Sequence, residues 1–427
     1  MSKEKLALYG GTPARSTPWP HTYPGAMDIG KEEEEAVLEV LRSRNLFRYY
    51  GPTGEGPHKV KDFEAAFARY SGAKYALGVT SGTAAVMTAL AAAGIGPGDE
   101  VIIPAYTWIA TATAVAWNMA IPVIAEVDET LTLDAADVEA RITPRTRAII
   151  PVHMRGAPCN MKRIMELAHR RDLLVIEDTA QANGGSFQGK HLGTFGDIGA
   201  FSLQFNKMIT AGEGGAVVTD SLELYRCAQM YHDGGGIWRR GEDAAGFEMF
   251  TGVNFRMSEV TGAIVGVQLT RLDKLVARQR AAKARIVAGT AGICRAKGFA
   301  PRPSHDGAGD VGVCLIYLLP DAQSAKTMIQ ALRAENISAS GMFDPNVEDL
   351  HVYYHWRPIL HKRTANHLGC PWTCPYYQGG ITYTQDMCPR TLKLLERAVH
   401  IDVNPLLTDA DIEGAIQGII KVADALL

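Results

Sequence analysis

From Tyr75 to Thr219 the chain repeats one pattern: a short apolar or β-branched run, a polar break, then in several places a longer stretch with helical spacing. The short runs are Tyr75–Val79, Glu100–Ile103, Val123–Glu126, Ala148–Pro151, Leu173–Ile176, Ile198–Ser202 and Gly215–Thr219. Helical stretches between them include Thr83–Ala93, Thr107–Trp117 and Met161–Arg170. Strand–helix alternation predicts a mostly parallel sheet covered on both faces, because each parallel neighbour is reached by a crossover that packs back on the sheet. The last runs are not all separated by helices, which predicts a mixed sheet.

The flanks are patterned differently. Residues 1–30 carry Pro13, Pro18, Pro20 and Pro24 and little periodicity, and read as an extended arm. A helix is predicted from Gly30 to Arg44. Its acidic opening, Glu32 to Glu35, suits the positive end of a helix dipole and reads as a solvated face. Gly234–Phe250 is glycine-rich, charged and aperiodic, a long loop of the kind that often serves function. One long helix is predicted from Ser258 toward Arg285, with Gln268, Arg271 and Arg278 on its polar side. Patterning weakens after residue 287, apart from a final helix over Thr408–Leu426 with Asp409 near its start. The reading is an arm (1–29), a large α/β domain (30–275) and a smaller α+β domain (276–427).

Composition narrows the function classes. Apolar residues make up 47% of the 427, enough for a sizeable core. A net charge of -3 with no block of like charge argues against a nucleic-acid groove or a membrane surface. Met1 to Ala7 lacks an apolar signal core, and no apolar run approaches the ~20 residues of a membrane helix. A cytoplasmic protein is expected. The seven cysteines are odd in number and scattered, unlike a disulfide framework. Cys370 and Cys374 lack a second ligand pair, so they read as reduced thiols and no metal site is expected.

Three segments carry candidate chemistry, and each follows a predicted strand, where open α/β sheets place ligands. Ser81-Gly82-Thr83 enters a helix, so backbone N–H groups and the dipole could hold an anion; by itself it is also an ordinary helix cap. Val175-Ile176-Glu177-Asp178 ends a strand in two carboxylates, of which alternation lets only one face a given pocket. Phe201 to Lys207, followed by Gly212, Gly214 and Gly215, sets a lysine between an apolar strand and a flexible turn. A partly buried lysine loses basicity and can form imines. Pyridoxal phosphate uses all three: a lysine for the imine, an acid on the pyridine nitrogen and donors for the phosphate. Lys207, Asp178, and Ser81–Thr83 with Ser202 fit those roles, and Trp108 is either a ring-stacking residue or a core aromatic.

These motifs, with Pro104 to Trp108, Pro151-Val152-His153-Met154, Thr179-Ala180-Gln181-Ala182 and Asn254 to Glu259, resemble the DegT/StrS-type aminotransferases of fold type I over roughly residues 25–280. The resemblance implies that Lys207 forms the internal aldimine and shuttles the proton, with Asp178 on the pyridine nitrogen. It implies Gln181 near the ring hydroxyl, Trp108 stacked on the ring, and Gly82, Thr83 and Ser202 on the phosphate. It also implies a homodimer in which Asn254 reaches the neighbouring subunit's phosphate. The expected reaction moves an amino group from L-glutamate or L-glutamine to a keto sugar, sugar acid or cyclitol. A sugar dehydratase or lyase is the alternative; in the family's sugar 3-dehydratases a histidine stands where this chain has Lys207. Leu8 to Pro13 resembles inosose aminotransferases and aminohydroxybenzoate synthases. Tyr353 to Pro358 and Cys370–Tyr383 resemble relatives acting on an eight-carbon sugar acid, or else form small-domain core, so the acceptor stays open.

Overall fold

In the computed structural model, which describes residues 5–52, 54, 56–236 and 247–427, the alternating region forms one seven-stranded sheet. Its strands are β1 (Tyr75–Val79), β2 (Glu100–Pro104), β3 (Ile121–Ala125), β4 (Thr146–Ile149), β5 (Leu174–Asp178), β6 (Ile198–Ser202) and β7 (Gly215–Thr219), in the spatial order β1-β7-β6-β5-β4-β2-β3. The pairs from β6 across to β3 are parallel, and β7 is antiparallel to both its neighbours. The sheet is mixed because β6 and β7 are joined by a loop without a helix, so the chain can only turn back beside itself. Most strand residues are buried, as expected of a sheet covered on both faces.

Around the sheet lie α1 (Lys31–Ser43), α2 (Lys59–Ser71), α3 (Gly82–Ala92), α4 (Ala110–Trp117), α5 (Ala135–Arg141), α6 (Met161–Arg171), α7 (Leu222–His232), α8 (Glu259–Leu269) and α9 (Leu272–Lys297). Helix α3 has almost no polar stripe because it packs against α4, α7 and strand β6 at once. Helix α6 lies at the surface and buries only Met161, Ile164, Leu167 and Ala168, with Asn160 capping its start through Arg163 N–H.

The expected single helix from Ser258 is two, with the break at Thr270 and Arg271. The acidic opening of α1 explains the corner. Glu33 is 2% exposed, so this residue is not part of a solvated face. It accepts from Gln268 Nε2 at 2.7 Å and pairs with Arg271 at 3.0 Å, and Glu32 takes Arg271 at 2.8 Å. Gln268, expected on a polar side, is fully buried in this contact. Burial alone would raise the Glu33 carboxyl, but the bonds from Gln268, Arg271 and Gly30 N–H outweigh it and hold the group below its ordinary range.

A second, antiparallel sheet contains β8 (Ala300–Pro301), β9 (Cys314–Leu318), β10 (Ala339–Gly341) and β11 (Ala398–Asp402), in the order β8-β9-β11-β10. With it go α10 (Ala322–Ala334), α11 (Pro389–Glu396) and α12 (Asp409–Leu426), the last opened by a Thr408–Asp411 capping box. Strand β9 serves both cores. Leu315 and Tyr317 pack among the small-sheet helices, while Cys314, Ile316 and Leu318 join the large-sheet cluster.

Two expectations about the flanks change. The N-terminal arm does not simply run along the surface: Leu6 and Trp19 bury in the small-sheet core. Glu335, fully buried, accepts from Ala7 N–H at 2.8 Å, Ala14 N–H at 2.7 Å and Lys421 Nζ at 3.0 Å. The aromatic segment is indeed core, but on the large-sheet side. Tyr353 and Trp356 are fully buried in the cluster around α3 and β2. Backbone bonds Thr107 N to His351 O (2.9 Å) and Tyr353 N to Ala105 O (3.0 Å) tie the segment to the end of β2, and Tyr383 hydroxyl donates to Pro122 O at 2.7 Å. It covers a strand edge that would otherwise present unpaired groups. The Gly234–Phe250 loop falls largely outside the described residues.

Replacing Glu335 with alanine removes the acceptor of two arm N–H groups and the carboxylate partner of Lys421, whose Nζ keeps Thr12 O at 2.7 Å. Urea unfolding is expected to show a loss of about 3–5 kcal/mol, with faster proteolysis of the arm. A change below about 1 kcal/mol would mean that the arm is not anchored there.

Candidate active site

The parallel strands β1, β2, β4, β5 and β6 end on one edge of the sheet, and a cavity of about 300 Å³ lies above them. After β1 the chain enters α3. Ser81 hydroxyl caps the helix by accepting Ala84 N–H at 3.0 Å, which leaves its O–H able to donate into the cavity it lines. The first intrahelical backbone bond is Ala85 N to Ser81 O, which leaves the N–H groups of Gly82 and Thr83 ahead of the ladder and at the cavity wall. Glycine is required at 82: a Cβ there would sit 2.7 Å from Ser202 Cβ. The close approach places Ser202, at the end of β6, beside the positive end of α3.

At the end of β5 the two carboxylates diverge. Glu177 is fully buried away from the cavity and accepts Gly193 N–H (2.8 Å), Phe195 N–H (2.5 Å) and Gly196 N–H (2.8 Å). His153 Nε2 also meets it at 3.1 Å, while His153 Nδ1 accepts Cys159 N–H. The second bond requires a bare Nδ1, so His153 is the Nε2–H tautomer donating to Glu177. Asp178 lines the cavity. Its two hydrogen bonds come from neutral donors, Thr111 hydroxyl at 2.9 Å and Ala180 N–H at 3.1 Å. Burial pushes its carboxyl above the ordinary value despite those bonds, the state of a carboxylate that a cation would stabilise.

Lys207 sits in the loop after β6, closed by Leu203 N to Gly214 O (2.9 Å) and Phe205 N to Gly212 O (2.9 Å). The arm crosses it, with Gly25 N donating to Lys207 O at 3.2 Å. Burial lowers the basicity of the Lys207 amine; the charge of Asp178 opposes this, and that of Arg155 adds to it. A second chamber of about 410 Å³ shares Gln181, Asn206, Lys207 and His351 with the first. Its outer wall is the arm from Trp19 to Pro24, and Arg155, His400 and Asp402 also line it.

The profile of the DegT/DnrJ/EryC1/StrS aminotransferase family matches residues 27–368. The chain belongs to this family. It is 39% identical over 313 residues to an L-glutamine:2-deoxy-scyllo-inosose aminotransferase of Micromonospora echinospora, covering 71% of each chain. It is 32% identical to the spore coat polysaccharide biosynthesis protein SpsC of Bacillus subtilis strain 168, covering 93% of this chain and 96% of that one. Among solved structures, 3-amino-5-hydroxybenzoic acid synthase superposes with a TM-score of 0.79 at 26% identity, over 96% of this chain and 100% of that one. An aminotransferase from Psychrobacter cryohalolentis does so with the same TM-score at 28% identity, over 96% and 99%. The fold is that of the fold type I aminotransferases.

In this DegT-family chain, Ser81, Gly82, Thr83, Trp108, Asp178, Gln181, Ser202 and Lys207 surround one cavity. Trp108 is 45% exposed at its mouth, tilted against His351 at 4.9 Å between ring centroids, so it is not a core aromatic. Gln181 Oε1 accepts Arg155 N–H at 3.1 Å, which leaves its NH₂ group as the end free to donate. Asn254 lies outside the lining, bonded through Oδ1 to Arg256 N–H at 3.3 Å. Sequence reasoning missed Thr107, Thr111 and His351. The two threonines form a chain to Asp178, Thr107 Oγ1 to Thr111 Oγ1 at 2.9 Å, and their four-residue spacing across a helix start was the available signal. His351 comes from a segment with no local motif.

Lys207 and Asp178 are both held against their preferred charge. For Lys207 the folded pKa lies below the unfolded one, so its ammonium costs stability at pH below the folded value. That cost fades as pH rises toward about 10.4, the ordinary lysine value. Lys207→Met is therefore expected to raise the melting temperature of the cofactor-free protein by roughly 2 °C or more at pH 7, with a smaller gain at pH 10. A lower melting temperature at pH 7 would show that the amine is not strained.

Proposed function

We propose that this protein is a pyridoxal-phosphate-dependent aminotransferase that moves an amino group from L-glutamate or L-glutamine to a keto or aldehyde carbon of a sugar, sugar acid or cyclitol. The observation that carries this reading is the convergence of Lys207, Asp178 and the α3 N-terminus with Ser202 on one cavity. The residues present fit the cofactor. Asp178 is a buried carboxylate held only by neutral donors, which a protonated ring nitrogen would satisfy. Gly82, Thr83 and Ser202 form an anion cradle that a Cβ at residue 82 would fill.

When bound, pyridoxal phosphate supplies the electron sink that lets an amino group pass between carbon skeletons. The protein does the rest. The α3 N–H groups and Ser202 would hold the phosphate, Trp108 would stack on the ring, and Gln181 NH₂ would donate to the ring hydroxyl. Thr111 and Ala180 N–H hold the Asp178 carboxylate that would pair with the ring nitrogen. Lys207 Nζ takes a proton from the donor carbon and returns one at the acceptor carbon, a role helped by its lowered basicity. The second chamber gives the substrates room beside Lys207, walled by the arm from Trp19 to Pro24.

A homodimer is part of this reading, in which Asn254 would reach a partner's phosphate; in support, Asn254 stands outside its own cavity, on a segment that includes the exposed Phe250. A cytoplasmic setting agrees with seven free cysteines. No helix among the described residues is long and apolar enough to cross a membrane.

The test is the visible absorption of the loaded protein. Adding L-glutamate or L-glutamine is expected to abolish the band of the lysine-bound cofactor and replace it with that of the amine form. Lys207→Ala should lack the original band and lose at least roughly 10²–10⁴-fold in turnover. Asp178→Asn should slow turnover while Glu177→Gln chiefly lowers the melting temperature. A parent spectrum unmoved by either amino acid would reject the transfer reading.

A further inference from the structure

The second chamber contains a cation that the transfer chemistry leaves unused. Arg155 lies in the turn after β4 with φ +52°, and its Nε donates to Tyr106 hydroxyl at 3.3 Å. Its backbone is occupied on both sides, N–H by Gln181 and carbonyl by Arg302 Nη2 at 3.0 Å. Among the described residues no carboxylate pairs with its guanidinium. Asp402 is the one acid among the described residues lining the chamber; its Oδ1 lies 3.7 Å from His400 Nε2, and its charge acts on Arg155 without a direct ion pair. That nitrogen is buried without a hydrogen bond, and burial together with the charge of Arg155 holds the imidazole neutral. His351 is committed to Asp349 at 2.7 Å. Arg155 is half-buried, and a partly desolvated guanidinium gains most from a partner that matches its planar fork of donors, a carboxylate.

We propose that Arg155 is a carboxylate-binding subsite for a substrate that reaches Lys207. The inference rests on the aminotransferase reading, because the chamber shares Lys207, Gln181 and His351 with the cofactor cavity. Two sources share this chemistry: the α-carboxylate of the amino donor, and a carboxylate on the acceptor. The first would orient the amino acid for proton removal. The second would select sugar acids over neutral sugars.

The experiment compares the loaded parent enzyme with Arg155→Gln and Arg155→Lys in two arms. In one arm, L-glutamate and L-glutamine are titrated against the visible absorption. In the other, galacturonate and galactose, which differ by a carboxylate, are titrated against tryptophan fluorescence, for which Trp19 lies in the chamber wall. Arg155→Gln is expected to weaken one carboxylate-bearing ligand by about 10- to 100-fold, with partial recovery in Arg155→Lys. Weakening in the amino-acid arm assigns the subsite to the donor. Weakening for galacturonate, with galactose unaffected, assigns it to the acceptor. Equal affinities of parent and Arg155→Gln in both arms, or a parent with no carboxylate preference in either, overturn the proposal. A parent enzyme that binds galacturonate through Arg155 yet never loses its visible band with an amino acid would instead reject the transfer reading alone.

Discussion

Adjacent residues on a strand face opposite ways, so Glu177 and Asp178 cannot serve the same site. The site is built on that divergence. Glu177 turns inward and organises the 193–196 backbone and His153, which fixes β5 against its neighbours. Asp178 turns to the cavity carrying a charge that burial disfavours. One carboxylate is fully satisfied so that the next can stay available. The same contrast sets the energetics of the region: a rigid hydrogen-bonded floor supports two groups, Asp178 and Lys207, that the folded protein holds at some cost.

The lysine side of the site is assembled from farther away. The 203–214 loop closes on itself, but the arm lies across it and is anchored by Glu335 and Trp19 in the small-sheet core. Strand β9 shares its alternate faces between that core and the large-sheet cluster. The arm thus ties the small-sheet core to the main chain at Lys207, through Gly25 N–H.

The large sheet was legible because every strand is a short apolar run ending in a marked break. Three strands, β1, β6 and β7, match their predicted limits, and the limits of the others shift by at most two residues. Lys207, Asp178 and the Ser81–Thr83 turn stood out because each follows such a run. What stayed hidden depended on partners distant in sequence. Glu33 reads as solvent-facing until Gln268 and Arg271 arrive from 235 or more residues away. The small sheet pairs β9 with β11 across some 80 residues, and such pairings leave no local period to read. His351 enters the site on the covering segment, whose aromatics signal burial without saying against which sheet.

The turn at Arg155 separates what must stay constant from what can vary. Its N–H orients Gln181 and its carbonyl receives Arg302, and both bonds are made by main-chain atoms whatever side chain is attached. Arg155 also lines the second chamber. Under the proposed role of Arg155, exchanging that one side chain would alter what the chamber accepts and leave the hydrogen-bonded floor at Gln181 and Asp178 unchanged.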